Sequence, residues 1–416
     1  MKPAVNFRAK CLRQWPDYKS QLNDSAFGIR RLSFDSSLMS TQLPTLLAQL
    51  VAIDSVNPDL VPGGAGEGAV AAFIAQWCRE AGLEVHSDEV QPGRPNVIAI
   101  AKGTGGGKTL MLNGHIDTVG VAGMTAPHTP RLENGRMYGR GAYDMKCGVA
   151  ACMLAVAEAR KKALRGDVIF TAVADEEFAG TGTIDVAKRY TADAAIVTEP
   201  TEMQLVVAHK GFAWFTLHTH GVAAHGSRPD LGVDAIAHMG RVLVELDALN
   251  HDLLANPTHV LLKSGSLHAS LIQGGQEWSS YPERCTLSVE RRTVPGETVA
   301  LAEAQITSIL ARLGALDPTF NATCELGVTR EPMETAPDAP IPTLIQKHGR
   351  AITGHAIDIV GAPYWTDAAS LAEAGIPAVL FGPRGAGAHA IEEWVDLASV
   401  QQCAEIYGHV IDAFCA

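Results

Sequence analysis

Apolar positions along this chain follow two rhythms. Uninterrupted apolar runs, as in strands covered on both faces, occur at residues 96–101, 109–114, 167–174, 194–197 and 376–381. Between them the spacing turns helical. Residues 43–56 carry apolar side chains at Leu46, Leu47, Leu50, Val51 and Ile53 and are halted by Asn57-Pro58, because a residue before proline is pushed out of the helical region. Residues 69–81 form a second helical run closed by Gly82, a glycine stop. A third, 145–164, is rich in Ala, Met, Leu and Val.

The middle of the chain, 209–325, breaks this alternation. An alternating strand at 212–220 is followed by a helix at about 234–249, then strands that include 285–291, then a helix at about 299–313. Strand, helix, strands, helix, strand is an α+β sandwich pattern. Residues 1–40 carry no clear period and mix charged and polar residues with a few aromatics. They read as a flexible extension; an arm that docks on a partner subunit and translation that starts at Met39 are the other readings.

Several apolar runs share a peculiarity at their ends. Residues 109–119 (TLMLNGHIDTV) deliver His115 and Asp117, residues 167–174 lead into Asp175, Glu176 and Glu177, and residues 194–197 stop at Thr198-Glu199-Pro200. Residues 376–381 lead through Gly382-Pro383-Arg384-Gly385 to His389. Each has an ordinary reading: a hydrogen-bonded pair at a strand end, a solvated acidic turn, and, for Asp144 ahead of the 145–164 run, a helix N-cap. Repetition argues otherwise, because ligands in open α/β sheets bind beyond the carboxyl ends of the strands. His115, Asp144, Glu177, Glu199 and His389 make a mixed nitrogen and oxygen set suited to zinc, cobalt or manganese. Five ligands exceed what one tetrahedral ion with an open position takes. With one carboxylate bridging, they suit two ions roughly 3.5 to 4 Å apart.

Composition narrows the classes. At 416 residues and 47% hydrophobic content, the chain can bury a large core and two domains are expected. A net charge of -12 argues against nucleic acid, which demands clustered Lys and Arg. No apolar run approaches the roughly 18 to 20 residues of a membrane helix and no early segment resembles a signal peptide, so a soluble cytoplasmic protein without membrane contact is expected. Eight scattered cysteines without a C-x-x-C pair fit reduced packing thiols. The glycine run at 102–108 ends in Gly-Lys-Thr like a phosphate loop, but Lys102 stands where that loop needs glycine.

The order H-x-D at 115–117, G-R-G-x-x-D-M-K at 139–146, D-E-E at 175–177, T-E-P at 198–200 and a late A-H at 388–389 with Glu393 four residues on resembles the co-catalytic zinc aminoacylase and carboxypeptidase superfamily, over roughly residues 43–416. The resemblance implies an α/β catalytic domain, with a mixed, mostly parallel sheet and helices on both faces, from 41–208 and 326–416. It implies an inserted α+β sandwich at 209–325 that serves as dimerisation or lid domain, and hence a homodimer. Carried over by position, Asp144 would bridge two divalent ions, most simply zinc, with His115 and Glu199 on one and Glu177 and His389 on the other. Asp117 would orient His115, and Glu176 would be the general base. His225, in Gly221-Val222-Ala223-Ala224-His225, would reach the neighbouring subunit's site to polarise the reacting carbonyl, and Arg292 would clamp a substrate carboxylate. A departure stands at Ser279-Ser280-Tyr281-Pro282, where relatives commonly have Asn in N-x-x-P.

The resembling family implies removal of an acetyl- or succinyl-type acyl group from an N-acyl amino acid. Glu199, rather than Asp, is closer to the deacylase and desuccinylase branch. A dipeptidase or carboxypeptidase of the same fold acting on a short peptide is the alternative. A catalytically inactive binding protein is a further one, and it sits poorly with a complete set of ligand-type residues.

Overall fold

A computed structural model describes residues 36–416, with side chains from residue 42 onward. The extension expected at residues 1–40 therefore falls, up to residue 35, outside the described residues. Helix α1 (Ser36–Val51) starts before the expected residue 43 and ends before 56. There Val56 N–H turns back onto Asp54 Oδ1 at 3.0 Å.

The chain continues through α2 (Gly68–Glu80), β1 (Glu84–Gln91), β2 (Arg94–Ala101), β3 (Leu110–His115), β4 (Arg131–Glu133), β5 (Arg136–Tyr138), α3 (Lys146–Ala159), β6 (Val168–Val173), α4 (Thr181–Arg189), β7 (Ala194–Val197) and β8 (Leu205–His209). The periodic pattern 145–164 overran α3, which closes at Ala159 as exposed Arg160, Lys161 and Lys162 begin the turn towards β6. After the inserted unit come β13 (Met333–Glu334), α7 (Pro340–Thr353), β14 (Ile359–Ala362), α8 (Ala368–Glu373), β15 (Ala378–Leu380), β16 (Gly385–Ala386), β17 (Trp394–Asp396) and α9 (Leu397–Phe414).

The main sheet runs β1-β2-β6-β3-β7-β15-β8-β13, with β14 also on β8. Its centre, β6-β3-β7-β15, is parallel, and antiparallel strands flank it. Successive side chains in a strand point to opposite faces, so a strand buried on both must be apolar throughout. In β2, Val97, Ala99 and Ala101 enter the core shared with α1, α2, α3 and α9, while Ile98 and Ile100 enter the opposite core shared with α4 and α8.

Parallel pairing decides where the strand ends fall. His115 is in register with Val173 and Asn113 with Val197, so β6, β3 and β7 release their polar continuations at one edge. Strand β15 lies parallel on β7, with Leu380 against Val197, and sends the segment with His389 to the same edge.

The chain leaves this sheet after β8 and returns at β13, which pair antiparallel. Between them lie β9 (Gly211–His220), α5 (Ala235–Ala255), β10 (Ser266–Gly274), β11 (Arg284–Thr293), α6 (Val299–Leu316) and β12 (Asn321–Arg330), with strand order β10-β11-β9-β12. The inserted sheet is antiparallel and therefore alternates. Ala213, Phe215 and Leu217 of β9 and Cys285, Leu287 and Val289 of β11 pack under α5 and α6 in a core of their own. Helix α6 is long and apolar enough by composition to cross a membrane, and its Ala302, Ile306, Ile309, Leu310 and Leu313 are buried in that core.

One contact sets the distance between α3 and the sheet. At Gly148 a Cβ would meet the Thr198 carbonyl oxygen at 2.3 Å, so the helix start can lie this close to the end of β7 only with glycine there. Gly148→Ala is expected to cost about 1–3 kcal/mol through overpacking, despite alanine's helix preference, as measured by urea unfolding. A variant as stable as the parent would show that α3 can back away freely.

Candidate metal centre

Five of the sequence-selected side chains meet at the common strand edge. His115, the last residue of β3, places Nε2 3.1 Å from Asp144 Oδ1 and 3.6 Å from Glu199 Oε1. His389 places its Nε2 3.4 Å from Asp144 Oδ2 and 3.0 Å from Glu177 Oε2. Asp144 thus turns one oxygen to each histidine, between two half-sites. Donor atoms of His115, Asp144 and Glu177 lie within 4.8 Å of one another, as do those of His115, Glu176 and Glu199.

Two ordinary readings fail here. No side chain caps the start of α3, and Asp144 faces the histidines. The acids at 175–177 are not a solvated turn: Asp175 is fully buried and Glu176 and Glu177 are largely enclosed.

Crowding so many carboxylates shapes their protonation. Burial raises the pKa of Glu199, Glu177 and Glu176, and neighbouring charge adds to it: Asp144 on Glu177, and Glu199 on Glu176, which ends well above the carboxylate range. Burial disfavours an imidazolium at His115, but Glu199, Asp117 and Asp144 outweigh it and hold its pKa well above the usual value. Hydrogen bonds to Asp144 and Glu177 raise His389 to about 10. For Asp144 burial acts upwards, and both histidines together bring it below the usual range. Imidazoles with raised pKa thus stand where positive charge is wanted, and Glu177 Oε1 is buried without a hydrogen-bond partner. Hard oxygens, two imidazoles and a deficit of cationic charge fit divalent metal ions.

Asp117 lies just past β3, fully buried. His115 Nδ1 is closer to its main-chain carbonyl, at 3.0 Å, than to its Oδ1, at 3.4 Å. The carboxylate also accepts the backbone N–H groups of Glu176 and Glu177, both at 3.2 Å. Its support therefore reaches the β6 turn as well as the histidine.

Sequence reasoning assigned no role to several residues that hold this arrangement. Glu393, only 2% exposed, accepts the N–H groups of Gly141, Tyr143 and Asp144 at 3.1, 2.8 and 3.0 Å and pairs with Arg140 at 2.7 Å. It ties the loop carrying His389 to the loop carrying Asp144, and its place after the A-H pair was the available signal. Asp367 sits beneath the site and accepts from the Thr183 hydroxyl at 2.8 Å. Burial raises its pKa to about 7. Nothing in the local pattern around Thr366-Asp367-Ala368 distinguished it from a helix cap.

His225 and Arg292 belong to the inserted unit, and among the described residues no hydrogen bond or ion pair joins either to the five-residue cluster. His225 is exposed, and its Nδ1 accepts from Ser227 N–H at 3.2 Å. An amide N–H only donates, so Nδ1 is the accepting nitrogen in this contact and Nε2 is the one left for another partner. Arg292 Nε pairs with Glu290 at 2.7 Å, and its guanidinium lies 5.3 Å from the centre of the Phe212 ring. Arg291, on the other face of β11, is buried and paired with Glu297 at 2.8 Å.

A doubly covered sheet with an inserted antiparallel unit and an acidic, histidine-bearing edge defines a metallohydrolase class. Residues 111–413 match the family described as Peptidase family M20/M25/M40, and the chain belongs to it. The acetylornithine deacetylase of Myxococcus xanthus is 29% identical over 394 residues, covering 91% of this chain and 99% of that protein. The N-formyl-4-amino-5-aminomethyl-2-methylpyrimidine deformylase of Halalkalibacterium halodurans is 28% identical over 364 residues, covering 79% and 85%. Among solved structures, a dinuclear metal-binding M20 peptidase of Bacillus subtilis superposes with a TM-score of 0.71 at 15% identity, covering 91% of this chain and 99% of that one.

The electrostatics give the metal centre a pH signature. A metal must displace the proton that His389, with its pKa near 10, carries in the metal-free protein. Zinc affinity of the metal-free protein, measured by competition with a chromophoric chelator, is expected to rise between pH 6 and pH 9 by about tenfold per unit for each displaced proton. A flat profile would contradict the protonation assigned to His389.

Proposed function

We propose that this metal-dependent hydrolase cleaves the amide of an N-acyl amino acid, releasing a small acyl group of acetyl or succinyl type. Zinc is the expected metal, with cobalt or manganese able to replace it. The observation that carries the reading is the position of Asp144 between two imidazole and carboxylate half-sites, with the enclosed Glu176 carboxyl beside one of them. Relatives named as a deacetylase and a deformylase, covering most of the chain, support an acyl group as the part removed.

Asp144 would be shared by two ions, His115 and Glu199 completing one site and Glu177 and His389 the other. When bound, such a pair lowers the pKa of water and polarises a carbonyl. Glu176 does the proton work: its carboxylate takes the proton of the attacking water and passes it to the leaving amine. Asp117 keeps Glu176 in place through the backbone N–H it accepts. His225 of a second subunit would offer its Nε2 proton to the developing oxyanion. Arg292 would leave Glu290 to bind the substrate carboxylate, with Phe212 backing the guanidinium.

Dimerisation through the inserted unit is part of the proposal, supported by the exposed Leu271 and Ile272 on its edge strand β10. The seven described cysteines are free thiols, which supports a reducing cytoplasmic setting. The similarity to a solved peptidase favours one second reading, cleavage of a short peptide at the same centre.

Glu176→Ala is expected to keep zinc content near that of the parent while lowering turnover by about two to four orders of magnitude; near-normal turnover would remove Glu176 as the base. Chelation should abolish activity, and zinc or cobalt should restore it. A panel of N-acetyl and N-succinyl amino acids set against dipeptides separates the two substrate readings. Faster hydrolysis of the dipeptides would favour the peptidase.

A further inference from the structure

The Asn57-Pro58 pair reads in the sequence as a stop signal, yet α1 already ends at Val51. Asn57 is fully buried, and all four hydrogen-bonding positions of its amide are occupied. Its Oδ1 accepts from the N–H groups of Asp59 at 2.9 Å and Leu60 at 3.3 Å. Its Nδ2 donates to Asp117 Oδ2 at 2.8 Å and to Asp175 Oδ1 at 3.1 Å. The amide orientation is fixed chemically, because one end meets two backbone donors and the other two carboxylates.

Those two carboxylates belong to different strand ends. Asp117 supports His115 and accepts the backbone of Glu176 and Glu177. Asp175 opens that same turn with a backbone φ of 70°, a conformation uncommon outside glycine. Its other oxygen accepts the Thr181 hydroxyl at 2.6 Å. Arg94 provides the counter-charge: its Nη1 lies 3.1 Å from Asp175 Oδ1, and it also pairs with Glu67 and Asp59. Asn57 is held in turn, since its N–H donates to the Thr118 carbonyl at 2.9 Å. It joins the strand that ends in the histidine to the turn that carries the acids.

We infer that Asn57 is a positioning residue, a neutral double donor that fixes Glu176 relative to His115 by holding Asp117 and Asp175 together. The inference rests on the reading of Glu176 as base and of Asp117 as support for His115. Other side chains do not fill the role. Asp would bring a third carboxylate and no donor, Leu has similar bulk and no donor, and Ser has one hydroxyl proton for two acceptors.

The test compares Asn57→Leu, Asp117→Ala and the double variant, each checked for fold by circular dichroism. The readouts are kcat and KM on an N-acetyl amino acid and zinc affinity of the metal-free protein by calorimetry. Asn57→Leu is expected to lower kcat by about 10- to 100-fold with KM within about twofold, and to weaken zinc binding by about tenfold. The double variant should fall little below Asp117→Ala alone, because groups that act as one unit are not additive. A folded Asn57→Leu protein with parental kcat and zinc affinity would reduce Asn57 to a structural amide, and fully additive losses would show that it does not act through Asp117. If Asn57→Leu does not fold, Asn57→Ser, which leaves room for a water between the carboxylates, carries the same comparison. Turnover that survives Glu176→Ala would overturn the underlying reading instead, and it is measured separately.

Discussion

Five carboxylates, Asp117, Asp144, Glu176, Glu177 and Glu199, are gathered in and just behind the edge of three parallel strands, with two imidazoles among them. Burying an unpaired carboxylate costs several kcal/mol, so this edge needs either protons on its carboxyls or positive charge beside them. The protein supplies part of it. The carboxylates around His115 and His389 raise the pKa of both imidazoles, Arg94 pairs with the acids behind the turn, and backbone N–H groups donate to Asp117 and Glu393. At the histidine-bearing edge Glu177 still keeps an oxygen without a hydrogen-bond partner. Divalent ions there are the charge that the rest of the packing anticipates.

The fold exists to bring that edge about. Apolar strands buried on both faces force helices onto both sides, and parallel pairing in register aligns the ends of β6, β3 and β7. Gly148 lets the start of α3 press against Thr198, which brings Asp144 down to Glu199 and His115. Glu393 closes the arrangement from the other side by holding the loops of Asp144 and His389 together. The supporting acids Asp117 and Glu393 are held in large part by main-chain donors, which do not titrate.

Much of this was legible in the sequence, for a physical reason. Uninterrupted apolar runs and strand-end punctuation are local, so the three strands and their terminal His115, Glu176, Glu177 and Glu199 could be read directly. Helix limits were less so: α3 ended five residues early because tertiary exposure at Arg160 to Lys162, rather than periodicity, decides its end. Asn57, Glu393 and Asp367 were not read as supports because their partners lie 60 and 118, 249 to 253, and 184 residues away in the chain. A buried amide that satisfies two distant carboxylates looks, in sequence, like any asparagine before proline.

The claim that this edge is built for two cations is tested most directly by locating them. Crystals of the zinc-loaded protein, with diffraction measured on either side of the zinc absorption edge, should give two anomalous peaks per chain. One should be bounded by His115, Asp144 and Glu199 and the other by Asp144, Glu177 and His389. A single peak, or peaks away from Asp144, would contradict the account.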